Sequence, residues 1–281
     1  FLLLCVVIFI VSFVRTFFPA ERTRRILSHE KRYVGNIIAA LLGIVTPFCS
    51  CSAVPLFLGF VEAGIPLGVT FSFLVSSPMI NEVALVMLWG MFGWKIAVLY
   101  VASGLVIAVL SGIAIGKLKV DNLIENLEQD TKSCCSPELY KLTLRDRLNF
   151  ARDYTFGILK KIWLYVVIGI GLGAWIHGYV PADFIVKYAG KDNWLAVPIA
   201  TLIGIPLYSN AAGVIPLVSA LTEKGVGLGT ALAFMMAVTG LSLPEFLILR
   251  KIMKLRLIMI FAGIVGAGII ITGYLFNYLI R

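Results

Sequence analysis

The sequence predicts an all-α polytopic membrane protein of two inverted repeats, each with a re-entrant broken-helix hairpin and three membrane-spanning helices. Three observations carry that expectation: scarcity of charge, two long apolar runs interrupted by proline and polar residues, and the placement of Lys and Arg between the runs. Of 281 residues, 60% are hydrophobic and only 14% charged, and the mean hydropathy is +0.97. A soluble domain needs about a quarter of its residues charged to cover its core. Soluble enzymes, nucleic-acid-binding proteins and disordered chains are therefore excluded, and the lipid bilayer is the partner the composition implies. The net charge of +9 is spread over connections between apolar runs, so it reports topology rather than affinity for a polyanion.

Crossing the hydrocarbon takes roughly 20 apolar residues, and such runs lie at about 1–18, 66–89, 94–116, 162–180, 226–249 and 257–280. The chain opens on Phe1 inside the first run, so an upstream segment is expected and residues 1–14 are not read as a signal peptide. Two further runs, 35–60 and 194–222, are long enough but interrupted. The first contains Thr46-Pro47-Phe48-Cys49-Ser50-Cys51-Ser52-Ala53-Val54-Pro55, the second Ile205-Pro206-Leu207-Tyr208-Ser209-Asn210. Proline removes a backbone donor, and freed backbone at membrane depth survives only against protein or a water-lined cavity. Each run is expected to form two short helices around a polar break. The expected helix-breaking residues are Pro47, Pro55, Pro78, Pro206, Pro216 and Pro244.

Charge placement decides whether the broken runs cross or turn back. If both cross, the 24 basic residues divide 13 to 11 between the two sides; if both turn back, they divide 19 to 5. Only the second division has the asymmetry of the positive-inside rule, which makes the 19-charge side cytoplasmic. The two halves also match at a fixed offset of 161, pairing Pro55 with Pro216, Leu56 with Leu217, Glu62 with Glu223, Gly64 with Gly225, Leu67 with Leu228, Gly68 with Gly229 and Phe73 with Phe234. With three true crossings per unit, an odd number, the second unit is inverted relative to the first, and inverted repeats with discontinuous helices are typical of secondary transporters. The first repeat is placed at 1–116, a cytoplasmic linker at 117–161 and the second repeat at 162–281, in the cell (inner) membrane. Within the linker, Leu144, Leu148 and Ala151 recur beside Arg145, Arg147 and Arg152, which suits either a helix on the anionic inner leaflet or a solvated segment. The pairs Gly112/Gly116 and Gly169/Gly173 are small-residue packing motifs.

The candidate chemistry sits at the breaks. Cys49, Ser50, Cys51 and Ser52 fall at the expected tip of the first hairpin. Thiolates are soft donors suited to soft acceptors, so Cys49 and Cys51 are candidate ligands for a metalloid, although free cysteine is also a commonly buried hydrophobe. Tyr208, Ser209 and Asn210 bring hydroxyls and an amide to the second tip, and half-helix N-termini there offer backbone donors. Glu82 and Glu245 are the acidic residues expected inside spans, each just after a proline, and an ionisable group in a span marks a substrate or proton path. Both are candidates for coupling or gating, and Asn81 for orienting substrate. Five cysteines, an odd number with Cys134 and Cys135 adjacent and Cys5 isolated, do not make a disulfide framework. His29 and His177 have no metal-ligand spacing to a partner. No P-loop motif occurs, and no cofactor is expected.

The run Thr46-Pro47-Phe48-Cys49-Ser50-Cys51-Ser52, followed by Val54-Pro55-Leu56 and by Ser76-Ser77-Pro78 with Asn81-Glu82, resembles the signature of the predicted-permease family that includes the organoarsenical efflux permease ArsP and YraQ-like proteins. The resemblance implies membrane transport and, for some members, efflux of trivalent organoarsenicals through the matching cysteines Cys49 and Cys51. A monomethylated trivalent arsenic has two exchangeable positions, which two thiols can fill. The expected function is an efflux permease for a small thiophilic substrate, with proton coupling as one form of drive. Transport of a small sulfur-containing anion and a membrane-embedded thiol redox protein are the two alternatives.

Overall fold

The computed structural model describes residue 9 and residues 33–45, 50–62, 64–118, 148–149, 151–153, 155–157, 160, 194–207, 209, 211–250 and 253–280. The apolar runs 1–18 and 162–180, most of the 117–161 linker, and Cys5, His29, Cys134, Cys135 and His177 lie outside the described residues, apart from residue 9. Ten α-helices are described: α1 (Val34–Val45), α2 (Ser50–Glu62), α3 (Leu67–Met79), α4 (Glu82–Phe92), α5 (Trp94–Lys117), α6 (Ala196–Gly204), α7 (Ala211–Glu223), α8 (Leu228–Gly240), α9 (Leu243–Leu249) and α10 (Leu255–Leu279). Three helical stretches are long and apolar enough to cross a membrane: Trp94–Lys117, Leu228–Leu249 and Leu255–Leu279. The pair Leu67–Met79 and Glu82–Phe92, bent by 45°, makes a fourth when taken as one span.

The repeat read from seven identities extends to the helices. Helices α2, α3, α4 and α5 begin at Ser50, Leu67, Glu82 and Trp94, and α7, α8, α9 and α10 begin at Ala211, Leu228, Leu243 and Leu255, each 161 residues later. The turns after α2 and α7 are equivalent as well. Gly64 (φ 72°) and Gly225 (φ 92°) adopt the left-handed conformation that favours glycine. Their N–H groups donate to Val61 O (3.0 Å) and Thr222 O (3.1 Å).

Small residues set the packing inside each unit. Asn36 of α1 donates to Gly68 O (3.0 Å) and Ser72 Oγ (2.9 Å) of α3. Gly43, two turns further along α1, lies so close to Ser76 and Ser77 that a Cβ there would collide with the Ser76 hydroxyl. Residue numbers rise together along both helices, so α1 and α3 run parallel and the end of α1 lies level with Ser76. Helix α5 runs antiparallel to α3: a Cβ on Gly68 would meet Gly112 O at 2.6 Å, and one on Gly104 would meet Ile80 at 2.8 Å. In the second unit Gly204 of α6 lies against Phe234 and Ala237 of α8, and Gly229 of α8 against the Gly273 carbonyl of α10. Asn277 donates to Thr230 Oγ1 (3.0 Å). Backbone contact through glycine is the usual substitute in lipid for a hydrophobic driving force between helices.

The units meet through α3 on α8, α5 on α10, α4 on α7 and α2 on α9. Two of these contacts join positions that are equivalent in the repeat: a Cβ on Gly240 would lie 3.8 Å from Met79, and one on Gly268 would lie 3.2 Å from Ile107.

The structure corrects two details. The run 66–89 is not one straight helix: α3 ends at Met79, and Asn81 begins α4 by accepting from Ala84 N (2.7 Å). Pro55 and Pro216 do not end helices, because each is the sixth residue of a helix that continues, α2 and α7. The fixed φ of proline is itself helical, and the bond lost is the one to the first turn, to the carbonyls of Cys51 and Ala212. Pro78 is the penultimate residue of α3 and Pro244 lies in the first turn of α9. In the linker, residues 151–153 and 155–157 are helical, with Thr155 Oγ1 donating to Ala151 O (2.6 Å).

Candidate functional site

The ends of α1 and α6 lie close to the α3–α4 and α8–α9 breaks. In the first unit the end of α1 reaches Ser76 and Ser77, both fully buried, one turn before the α3–α4 break at Ile80 and Asn81. In the second unit Leu243 N, at the α8–α9 break, donates to Ile205 O (3.0 Å), where α6 has just ended. Leu207 is held by its own N–H to Gly204 O (3.1 Å). The units then reach across: α2, whose first turn carries Ser50, Cys51 and Ser52, packs on α9, and α7 packs on α4.

The predicted site residues separate into three groups. Pro47, Cys49, Pro206's neighbour Tyr208, and Asn210 include four positions outside the described residues, namely 47, 49, 208 and 210, while Pro206 forms part of the turn after α6. Ser50, Cys51 and Ser52 are on α2, and Ser209 is half-buried in the second break. Asn81 is partly buried, and its side-chain oxygen is engaged as the cap of α4. The two acids part company. Glu82 is exposed on the first turn of α4, where a carboxylate complements the helix dipole. Glu245, on α9, is 0% exposed.

Sequence reasoning missed two further residues. Ser242 precedes α9 and is 1% exposed, and among the described residues neither its hydroxyl nor either oxygen of Glu245 has a hydrogen-bond partner. The signal was present in Ser242-Leu243-Pro244-Glu245, the S-x-x-E spacing of a capping box. Tyr100 of α5, fully buried, donates to Met79 O (2.8 Å), the last residue of α3. It ties α5 to the α3–α4 break. A chain of aromatic rings runs between the two halves, from Phe57 edge-on to Phe71 (5.3 Å), tilted onto Phe261 (5.6 Å) and edge-on to Phe246 (6.4 Å).

Among the described residues no group of three or more His, Cys, Asp or Glu is gathered for a metal ion.

Comparison with known proteins adds the family. The family model described as a predicted permease, ArsP_1, matches residues 1–278. The UPF0718 protein MJ0584 of Methanocaldococcus jannaschii is 24% identical over 90% of this chain and 85% of its own length. The UPF0718 protein YraQ of Escherichia coli is 23% identical over 93% of this chain and 73% of its own. A Streptococcus mutans protein named as a putative two-component membrane permease complex subunit is 23% identical over 92% of this chain and 85% of its own. No solved structure matches the chain.

Proposed function

Because the chain belongs to the predicted-permease family ArsP_1, we propose that it is a multi-pass inner-membrane secondary transporter, not an enzyme. In this proposal it exports a small thiophilic substrate, such as a trivalent organoarsenical, through a site at mid-membrane where the two broken runs meet.

The observation that carries this reading is the crosswise packing of α2 on α9 and α7 on α4, with the hairpin ends level with the span breaks. The parallel course of α1 and α3 supports re-entry: α2 must return the chain to the level at which α1 began. The 19-to-5 division of basic residues favours the same path. Two contacts support inversion. Met79 meets Gly240 and Ile107 meets Gly268. On the antiparallel pair α3 and α5, Ser72 lies by Gly112 and Ile80 by Gly104, which puts Met79 and Ile107 at nearly one depth. A two-fold axis through both contacts runs across the helices and thus in the membrane plane, the arrangement of alternating-access carriers.

The two faces of such a site differ. Cys49 and Cys51 supply soft donors from the first unit, suited to a trivalent arsenic with two exchangeable positions. Tyr208, Ser209 and Asn210 supply hydrogen-bonding groups from the second, and Ser50, Ser52 and Asn81 border the thiols. Rigid-body rocking of one unit against the other would expose the site alternately to the two sides.

Everted membrane vesicles test the proposal. Wild-type vesicles should accumulate a trivalent methylarsenical above empty-vector vesicles, and the double variant Cys49→Ser, Cys51→Ser should fall to the empty-vector level. Unchanged uptake by the double variant refutes the thiol role, and accumulation blocked by small sulfur oxyanions instead would favour an anion substrate.

A further inference from the structure

We infer that Glu245 and Ser242 form the protein's proton-binding site, one proton per transport cycle, and that Glu82 takes no part in it. The coupling rests on the permease reading above, whereas the bound proton does not.

Among the described residues, the buried side-chain oxygens without a hydrogen-bond partner are Ser242 Oγ, Glu245 Oε1 and Glu245 Oε2. They lie three positions apart at the start of α9, so they share one face. Ser242-Leu243-Pro244-Glu245 has the spacing of a capping box, yet neither half of the box is formed: Ser242 makes no side-chain cap bond and Glu245 reaches no donor. Pro244 contributes to this, because a cap hydroxyl accepts from the N–H of the second or third helical residue, and Pro244, the second, has none. The oxygens are therefore left to a ligand from outside the helix.

Charge identifies that ligand. An ionised carboxylate enclosed without a partner is strongly disfavoured and takes up a proton instead. Neither oxygen of Glu245 has a hydrogen-bond partner among the described residues. Among the described residues, the titratable residues of the elements packed against α9 are Cys51 and Glu62 of α2, and Arg256, Tyr274 and Tyr278 of α10, with Arg250 capping α9 at its far end. Arg250 and Arg256 are exposed. The enclosed state thus holds the acid form: the carboxylate takes a proton from water on one side, and the proton returns to water when the site opens to the other. The charged carboxylate exists only where water reaches it.

The repeat fixes the stoichiometry. The positions equivalent to Ser242 and Glu245 are Asn81 and Ala84, and there the polar side chain is consumed in capping Ala84 N while the second position is a buried methyl. Only one of the two equivalent places carries an acid, so one proton moves per cycle.

The test uses the full-length protein in liposomes with the membrane potential clamped. A hydrophobic carbodiimide, which attacks protonated buried carboxyls, should label Glu245 and not Glu82 by peptide mass spectrometry, with a yield that falls as the pH is raised. In the transport arm, a trivalent methylarsenical is supplied to liposomes holding wild type or Glu245→Gln, with incorporation of both proteins matched by immunoblot. Under a pH gradient the wild type should accumulate it by about tenfold per pH unit, the limit for one proton, and Glu245→Gln not at all. An unlabelled Glu245, a hundredfold limit per pH unit, or gradient-driven accumulation by Glu245→Gln equal to wild type would overturn the inference. The last outcome is also what a capping box predicts, since glutamine serves that role equally. If the wild type moves no arsenical, the substrate reading falls while the carbodiimide arm still decides the proton site.

Discussion

Replacing Gly68 or Gly229 by alanine probes the contact on which each unit is built. At Gly68 the added methyl would stand 2.6 Å from Gly112 O and 3.1 Å from Gly116 Cα, and at Gly229 it would collide with the Gly273 carbonyl and stand 2.7 Å from the Asn277 side-chain oxygen. Most of these obstacles are backbone, so relief requires α5 to move from α3, or α10 from α8, by several tenths of an ångström. Overpacking of this kind costs about 1–3 kcal/mol. At about 2–4 °C per kcal/mol for a chain approaching this size, Tm should fall by roughly 2–12 °C. Helix propensity acts the other way by up to about 1 kcal/mol and sets the control. Gly90→Ala meets nothing within 4 Å and should leave Tm unchanged or raised. The assay is thermal unfolding of the purified protein in detergent, followed by thiol-reactive fluorescence and by size-exclusion after heating. If Gly68→Ala and Gly229→Ala behave like Gly90→Ala, the helices do not meet backbone to backbone, and if one is silent and the other damaging, the two units are not equivalent.

Three further substitutions separate packing from function. Asn36→Ala removes two interhelical hydrogen bonds but leaves Ser72 donating to Gly68 O (3.2 Å), so at about 0.6 kcal/mol per bond in membranes the loss should be about 1–2 kcal/mol, read as Tm. Tyr100→Phe deletes the bond to Met79 O and should cost about 0.6–1.7 kcal/mol; because that bond spans the α3–α4 break, the transport rate should fall more than Tm suggests. Glu82→Gln alters an exposed group and should change stability by less than about 0.5 kcal/mol, with pH-driven accumulation as in wild type, a direct contrast with Glu245→Gln.

What was legible in the sequence follows from which physics acts locally. Proline and polar residues inside apolar runs announce a lost helix ladder, so the division of 35–60 into α1 and α2 and of 194–222 into α6 and α7 could be read directly. The repeat was legible because turns and close approaches need glycine: Gly64 with Gly225 and Gly68 with Gly229 are tied to φ and to backbone contact, not to side-chain chemistry. The bend between Met79 and Glu82 was not legible from apolar length, which does not distinguish one straight span from two angled halves. Pro55 and Pro216 show the converse, since a proline one turn into a helix sacrifices a single bond and tertiary packing holds the rest. Glu82 and Glu245 look alike as acids shortly after prolines. Their opposite burial depends on which face of α4 and α9 turns inward, and that is set by α2, α7 and the opposite unit rather than by neighbouring residues.

The claim on which the rest depends is that the two helix breaks share one mid-membrane site. It is tested by cross-linking in native membranes, in a chain whose only cysteines are Cys51 and one introduced by Ser209→Cys. A short bifunctional thiosulfonate should join the two within one chain, shifting the fragments released by cleavage in the 117–161 linker into a single band. Failure to cross-link, although each cysteine reacts singly with a monofunctional reagent, would contradict a shared site.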